Sequence, residues 1–206
     1  MLVQGDETGD LSLSDVMKGY IAEKYRKPGA VFLGVIHRID RPVSGVVLMA
    51  RTSKALSRMN EQFRERSVDK TYLAVVEGSA PMEGVLVHWL RKNASLNRAT
   101  VFHQTTEDAW RCELSFRRVA TSGGHSLLAV HPVTGRPHQI RAQLSAIGHP
   151  IAGDLKYGSA VPMPDKSICL HAWELEVIHP VLKQPLRMVA PPPQHGVWQP
   201  FRLHVT

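Results

Sequence analysis

Cysteine is nearly absent from this 206-residue chain, with Cys112 and Cys169 far apart and no CxxC pair. A disulfide-stapled secreted scaffold and a zinc ribbon are thereby excluded, and a reducing, cytoplasmic setting fits best. No apolar run approaches the ~18 residues that a membrane span needs. The first fifteen residues hold Asp6, Glu7, Asp10 and Asp15 but no Lys or Arg, the opposite of a signal or transit peptide. A GxxxxGK loop, a GxSxG elbow and a GxGxxG turn are also missing, so the usual marks of nucleotide hydrolysis, serine hydrolysis and hydride transfer are not there. Histidine is plentiful at eleven, yet His37, His131, His138, His149, His171 and His179 make no HxH, HExxH or HxxxH pattern. Neither a metal nor another cofactor is expected.

What the chain has is apolar content and positive charge. At 43% hydrophobic residues it can bury a real core, and it reads as one domain over residues 1–206. Twenty-five Lys and Arg face 18 Asp and Glu, a formal net charge of +7. Four of those acids lie in the first fifteen residues, so the rest of the chain is more basic still. A polyanionic partner such as RNA, DNA or an anionic membrane surface follows. No Lys-rich block or basic amphipathic helix is present, which disfavours the membrane.

Periodicity predicts a helix over Thr52–Arg66, capped by Thr52 or Ser53, with Leu56, Met59 and Phe63 on one face and Lys54, Arg58, Arg64 and Arg66 outward. Tyr72, Ala74 and Val76 alternate with Leu73, Val75 and Glu77 as a strand. Trp110, Cys112, Leu114 and Phe116 do the same against Arg111, Glu113, Ser115 and Arg117. Leu127–Val130 and Trp173–Val177 are further strands. Pro137 suits the first turn of a second helix, with Ile140, Leu144 and Ile147 as its apolar stripe and Gly148 closing it. Arg141 sits at the edge of that stripe, able to lay its stem on apolar surface and its head in a cleft. Residues 81–105 have weak periodicity and read as a mobile, solvent-facing insertion. The segment with Trp198 and Phe201 is expected to pack back after the Pro-rich stretch 190–193.

Asp40 stands out in His37-Arg38-Ile39-Asp40-Arg41-Pro42-Val43-Ser44-Gly45, a loop expected between the apolar runs 31–36 and 45–50. Between two guanidinium groups it is expected as a carboxylate, usable as nucleophile or base. A structural Arg–Asp ion pair is the alternative reading of those residues alone. Three segments together are more specific: HRIDRPVSG at 37–45, KTYLAVVEG at 70–78 and TGRPHQIRAQLSAIGHPIAGDLKYG at 134–158. In this order they resemble the RluA-type pseudouridine synthases, with their HRLDR-type loop, KxYxAxVxG strand and GRxHQIRxHL helix.

The resemblance implies an α+β fold, a mixed and mainly antiparallel sheet with flanking helices and a central basic cleft. It implies that Asp40 is the catalytic carboxylate, that Tyr72 stacks near the target base and takes part in proton removal, and that Arg141 orients Asp40. Arg38 is implied to enter the RNA helix where the uridine is flipped out. His37, Arg41, Arg136, His138 and Gln139 of the same motifs are further candidate substrate-binding residues, Arg136 toward phosphate at a helix N-terminus. Asp154 and Tyr157, in GDLKYG, read as a turn residue and an architectural one. The implied activity is conversion of specific uridines to pseudouridine in structured RNA, ribosomal RNA first and tRNA next, without cofactor or obligatory protein partner, by a monomer. The alternative is an inactive RNA-binding or ribosome-assembly factor of the same fold. Relatives of this type usually begin with a strand ending in an NKPxG-type turn, which this sequence lacks at Met1, and many carry a small N-terminal RNA-binding domain, also absent.

Overall fold

The computed structural model describes residues 1–5 and 9–204. Asp6 and Glu7 of the acidic start therefore lie outside the described residues. In chain order the elements are α1 (Leu13–Lys24), β1 (Gly34–Val35), β2 (Ser44–Gly45), β3 (Met49–Ala50), α2 (Ser53–Glu65), β4 (Asp69–Glu77), β5 (Glu83–Asn93), β6 (Arg98–Phe102), β7 (Trp110–Ser122), β8 (His125–Pro132), α3 (Gln139–Ala146), β9 (Leu170–Ile178) and β10 (Pro185–Val189). Two 3₁₀ segments, Leu155–Tyr157 and Gly196–His204, complete it.

One sheet organises the molecule in the order β10-β9-β4-β8-β7-β5-β6, each neighbour antiparallel. β2 adds a parallel pairing on β9, giving the mixed, mainly antiparallel α+β fold expected. β4 lies in its middle, and Leu73, Ala74, Val75 and Val76 are all buried. The expected half-exposed alternation there gives way to a strand covered on both faces. The main core joins those residues to Leu114, Leu127, Leu128 and Val130 of β7 and β8, to Ile140 and Leu144 of α3, and to Trp198 and Phe201, which do pack back.

α2 follows its sequence signals. The Thr52 side chain accepts the Ala55 N–H, Met59 is buried, and Arg66 ends the helix in a left-handed conformation. α1 was not expected as a helix. Its start is a capping box, with the Ser12 hydroxyl accepting the Asp15 N–H and the Asp15 carboxylate accepting the Ser12 N–H.

Two expectations are corrected. Residues 81–105 are not an insertion: β5 pairs with β7 over most of its length and β6 folds back on β5. Val85 and Val87 point outward in β5 while Leu90 points in, so apolar residues on both faces erase the alternation. The second helix starts at Gln139 rather than Pro137, because His138 takes a left-handed backbone (φ 56°) and breaks the run.

Candidate active site

The Asp40 loop is anchored at both ends. Gly45 in β2 lies against β9, where a Cβ would stand 2.2 Å from the Ala172 carbonyl oxygen at φ +121°, so only glycine fits. Ser44 Oγ is 2.8 Å from His171 Nδ1, and His171 Nε2 donates to the Ala190 carbonyl at 2.9 Å. With its proton on Nε2, His171 accepts the Ser44 hydroxyl at Nδ1. Between these anchors a turn is closed by the Val43 N–H on the Asp40 carbonyl (2.9 Å).

On the other side, His37 Nε2 accepts the Leu48 N–H at 3.0 Å, and its ring stacks on Phe63 of α2 at 5.2 Å. Burial, then the charge of Lys70, depresses His37 to about 4, so it is neutral at physiological pH. Its accepting nitrogen is thus used by the protein itself. Arg41 turns away to pair with Asp10 at 3.0 Å. Arg38 is exposed on the cleft wall with no hydrogen-bond partner among the described residues.

Asp40 meets Arg141 from the first turn of α3. Arg141 Nη1 donates to Asp40 Oδ2 at 2.9 Å, while Nε and Nη2 donate to Asp154 Oδ2 and Oδ1 at 2.7 and 2.8 Å. Arg141 is 5% exposed and Asp154 1%, so this fork is desolvated and its geometry is fixed. Burial opposes the Arg141 charge, but bonds to Asp154 and then Asp40 more than restore it, and the guanidinium is held above its ordinary value. Asp154 is thus more than a turn residue: it clamps the arginine that grips Asp40. The GDLKYG run contains it, but only the fold brings it opposite a helix thirteen positions earlier.

His138 approaches the same oxygen, with Nε2 3.9 Å from Asp40 Oδ2. Its Nδ1 is 2.9 Å from the Tyr157 hydroxyl, which already accepts the Ala99 N–H at 2.8 Å. Tyr157 is buried, and His138 Nδ1 is the one acceptor in reach of its proton among the described residues. Tyr157 therefore donates to Nδ1, and His138 carries its own proton on Nε2, aimed at Asp40. Burial first, against the pull of Asp40, lowers the His138 pKa and keeps the ring neutral. Both Arg141 and His138 address Oδ2, which leaves Oδ1 without a hydrogen bond among the described residues.

Tyr72 enters from β4 where the pairing with β9 shifts register between Thr71 and Tyr72. Such bulges re-aim side chains and concentrate beside active sites. Burial, then the Asp40 charge, pushes the Tyr72 phenol up to about 12, so it keeps its proton at neutral pH. Gln139 is buried and bonded at both ends of its amide: Oε1 accepts the Thr134 hydroxyl (2.8 Å) and the Arg136 N–H (3.0 Å), and Nε2 donates to the Glu113 carbonyl (3.0 Å). It holds the 134–138 loop onto β7. Arg136 lays its guanidinium over the Trp110 ring at 4.9 Å.

These groups surround a cleft of about 870 Å³, room for a nucleotide. Arg38, Arg41, Lys70, Lys92, Arg136 and Lys156 line it, the basic wall expected for a phosphate backbone. Lys70 and Lys92 carried no assignment from sequence. Lys70 lies two positions before Tyr72 on the same strand, and burial, then repulsion from Arg66, lowers its pKa. Among the described residues no helix is long and apolar enough to cross a membrane.

Comparison with known proteins bears on the family and the fold. Ribosomal large subunit pseudouridine synthase C of Vibrio cholerae is 34% identical over 177 residues, 82% of this chain and 55% of that protein. Ribosomal large subunit pseudouridine synthase D of Xylella fastidiosa is 33% identical over 177 residues, 78% of this chain and 52% of that one. The chain spans about half the length of the curated relatives it matches. Among solved structures, human RNA pseudouridylate synthase domain containing 4 superposes with a TM-score of 0.76 at 22% identity, covering 100% of this chain and 84% of that one. Human RNA pseudouridylate synthase domain containing 1 gives 0.71 at 26%, covering 87% and 75%. The model of the RNA pseudouridylate synthase family matches residues 1–146, and with the fold and the cleft described above this chain belongs to that family.

Proposed function

We propose that this chain isomerises specific uridines to pseudouridine in structured RNA, with ribosomal RNA the first substrate class and tRNA the next. The observation that carries the reading is Asp40 at the foot of a basic, nucleotide-sized cleft, held through Oδ2 by an arginine that a second buried carboxylate fixes. The names of the relatives favour ribosomal RNA.

The reaction breaks the N1–C1′ bond, turns the uracil within the pocket, joins C5 to C1′, moves the C5 proton away and leaves one on N1. Atoms and electrons balance within the nucleotide, so residues on the page suffice for the proton traffic. Asp40, through its free Oδ1, either attacks C1′ or removes a sugar proton on the way to a glycal; both uses need an ionised carboxylate. Tyr72, protonated, offers a ring against the uracil and a donor to its oxygen, and its high pKa argues against a resting role as base. His138 and Arg141 hold the inner carboxylate oxygen. Extruding the uridine costs about a few kcal/mol of stacking, which Arg38 at the cleft mouth offsets by filling the vacancy. His37 and Gln139 support the loop shape through their bonds to Leu48 and Glu113, while Arg41, paired with Asp10 yet largely exposed, keeps donors for phosphate. We read the chain as one catalytic domain acting in the cytoplasm as a monomer, a setting that two buried free thiols suit.

Tritium release from RNA labelled at uridine C5 tests the reading. The intact protein is expected to release tritium and Asp40→Ala to release none. Persistent release from Asp40→Ala would remove Asp40 from the chemistry, and none from the intact protein on cellular rRNA or tRNA would leave an RNA-binding factor.

A further inference from the structure

Trp110 is an apolar ring in the wrong place for a core residue and the right one for a ligand. It continues the inward row of β7, whose members Cys112, Leu114 and Phe116 are all buried, and its cross-strand partner Leu90 is buried as well. Yet Trp110 is 64% exposed. The cover supplied by Ala142 and Tyr157 to Leu90 and Cys112 stops short of it, and the one group described over its ring is the Arg136 guanidinium. Arg136 Nε is itself buried without a hydrogen-bond partner, so part of its donor capacity is unused.

The loop that carries Arg136 also carries His138, and the Gln139 and Thr134 bonds to β7 fix it there. Two residues of chain span at most ~7 Å. Arg136, over the Trp110 ring, and His138, beside Asp40, therefore sit on one short loop, and the ring adjoins the cleft through Arg136, which lines it. Glu107 and Asp108 occupy the exposed turn that leads into β7, while Arg136 supplies the positive charge at the ring.

We propose that Trp110 and Arg136 form a stacking subsite for an unpaired base flanking the target uridine, which makes Trp110 a determinant of substrate choice. The proposal rests on the RNA-modifying reading above, and it commits to a single-stranded base because a flat ring with a guanidinium on its face, beside a basic cleft, is how unpaired nucleotides are held. Its test is direct binding of a ten-nucleotide oligouridylate to the full chain, followed by anisotropy and by indole emission across a salt series. Trp110→Ala is expected to weaken binding about ten-fold or more, with Trp110→Phe intermediate. The salt slope should stay unchanged in both and fall in Arg136→Ala, which removes a phosphate contact. Quenching of indole emission by the oligonucleotide should disappear in Trp110→Phe, whose remaining Trp89, Trp173 and Trp198 serve as the reference. Melting temperatures of the variants confirm the fold.

Equal affinity of Trp110→Ala and the parent would overturn the subsite and leave the ring for a protein partner. Tritium release keeps the two readings apart. Release together with Trp110-independent binding sinks only the stacking subsite, whereas Trp110-dependent binding without release supports the subsite and sinks the activity.

Discussion

The floor and the rim of the cleft are built on opposite terms. On the floor the side chains are clamped: Arg141 is forked between Asp40 and Asp154, Tyr157 fixes the His138 tautomer, and Gln139 ties the 134–138 loop to β7. On the rim, among the described residues, Arg38 has no hydrogen bond and Arg136 Nε has none, and Trp110 is largely exposed. A preorganised floor carries no reorganisation cost during the reaction, while a loosely partnered rim can accept an irregular RNA surface. The difference teaches which substitutions should cost stability and which should cost only binding.

The largest effect is expected where the floor is cut. Arg141→Leu leaves Asp154, 1% exposed, as an uncompensated charge. Breaking a buried pair from one side costs about 3–5 kcal/mol, roughly a 10 °C fall in melting temperature for a chain of this size. A variant that melts with the parent would show that Asp154 protonates or that water enters, and the floor would be less rigid than its geometry states. The double variant Arg141→Leu/Asp154→Leu should recover much of the stability, since it removes the stranded charge, but none of the tritium release.

Acid should weaken the floor through His37. Unfolded, this imidazole takes up a proton near its ordinary 6.5; folded, it resists until about 4. The unfolded state binds more protons between those values, so stability is fully present above about pH 6.5 and declines as pH falls toward 4. The total is on the order of 3 kcal/mol. Urea midpoints at pH 7 and pH 4.5 measure it. His37→Gln, which retains an acceptor for the Leu48 N–H, should flatten the part of the slope that His37 owns. The buried His88 and His171 and the half-buried His138 are lowered too and will keep the remainder in the same direction.

These contrasts explain what sequence could and could not convey. The Asp40 loop, Tyr72 and Arg141 were legible because their motifs are local, and Thr52 and Met59 because helix capping and periodicity are local too. Asp154 was read as a turn residue since its partner lies across the fold. The β5–β6 hairpin was lost because Val85 and Val87 on its open face are as apolar as Leu90 on its buried one. Alternation puts Trp110 on the same strand face as Cys112, Leu114 and Phe116, but it says which way a side chain points, not whether anything covers it. His138, in a left-handed backbone, breaks the helix start that Pro137 suggested, and its imidazole lies 3.9 Å from Asp40.

A smaller effect separates clamping from mere presence. Asp154→Asn keeps one acceptor for Arg141 and gives up the charge, at about 2 kcal/mol for a charge-assisted hydrogen bond. If Asp154 acts only by setting the Arg141 fork, tritium release should fall roughly ten- to hundred-fold, with kcat taking the loss and RNA affinity unchanged. A drop in affinity with kcat intact would instead place Asp154 in RNA binding, against its burial.

The smallest effect on stability, and the one that most sharpens the contrast, belongs to Arg38 and Lys92. Arg38 is exposed with no hydrogen-bond partner among the described residues, and Lys92 lies on β5 near the hairpin tip, so Arg38→Ala and Lys92→Ala should each melt within about 0.5 kcal/mol of the parent. If both face phosphate, each loss should reduce the salt dependence of RNA binding by close to one counterion and weaken all RNA sequences alike. Arg38 should differ from Lys92 in one respect. Its planar guanidinium is assigned to the gap left by the extruded uridine, so Arg38→Lys should restore the salt slope but not the rate on base-paired substrates, while oligouridylate, with no helix to open, should be modified equally by both. Equal behaviour of Arg38→Lys and the parent on duplex targets would reduce Arg38 to a phosphate contact, and the rim would then contribute charge and stacking without taking part in the opening of the helix.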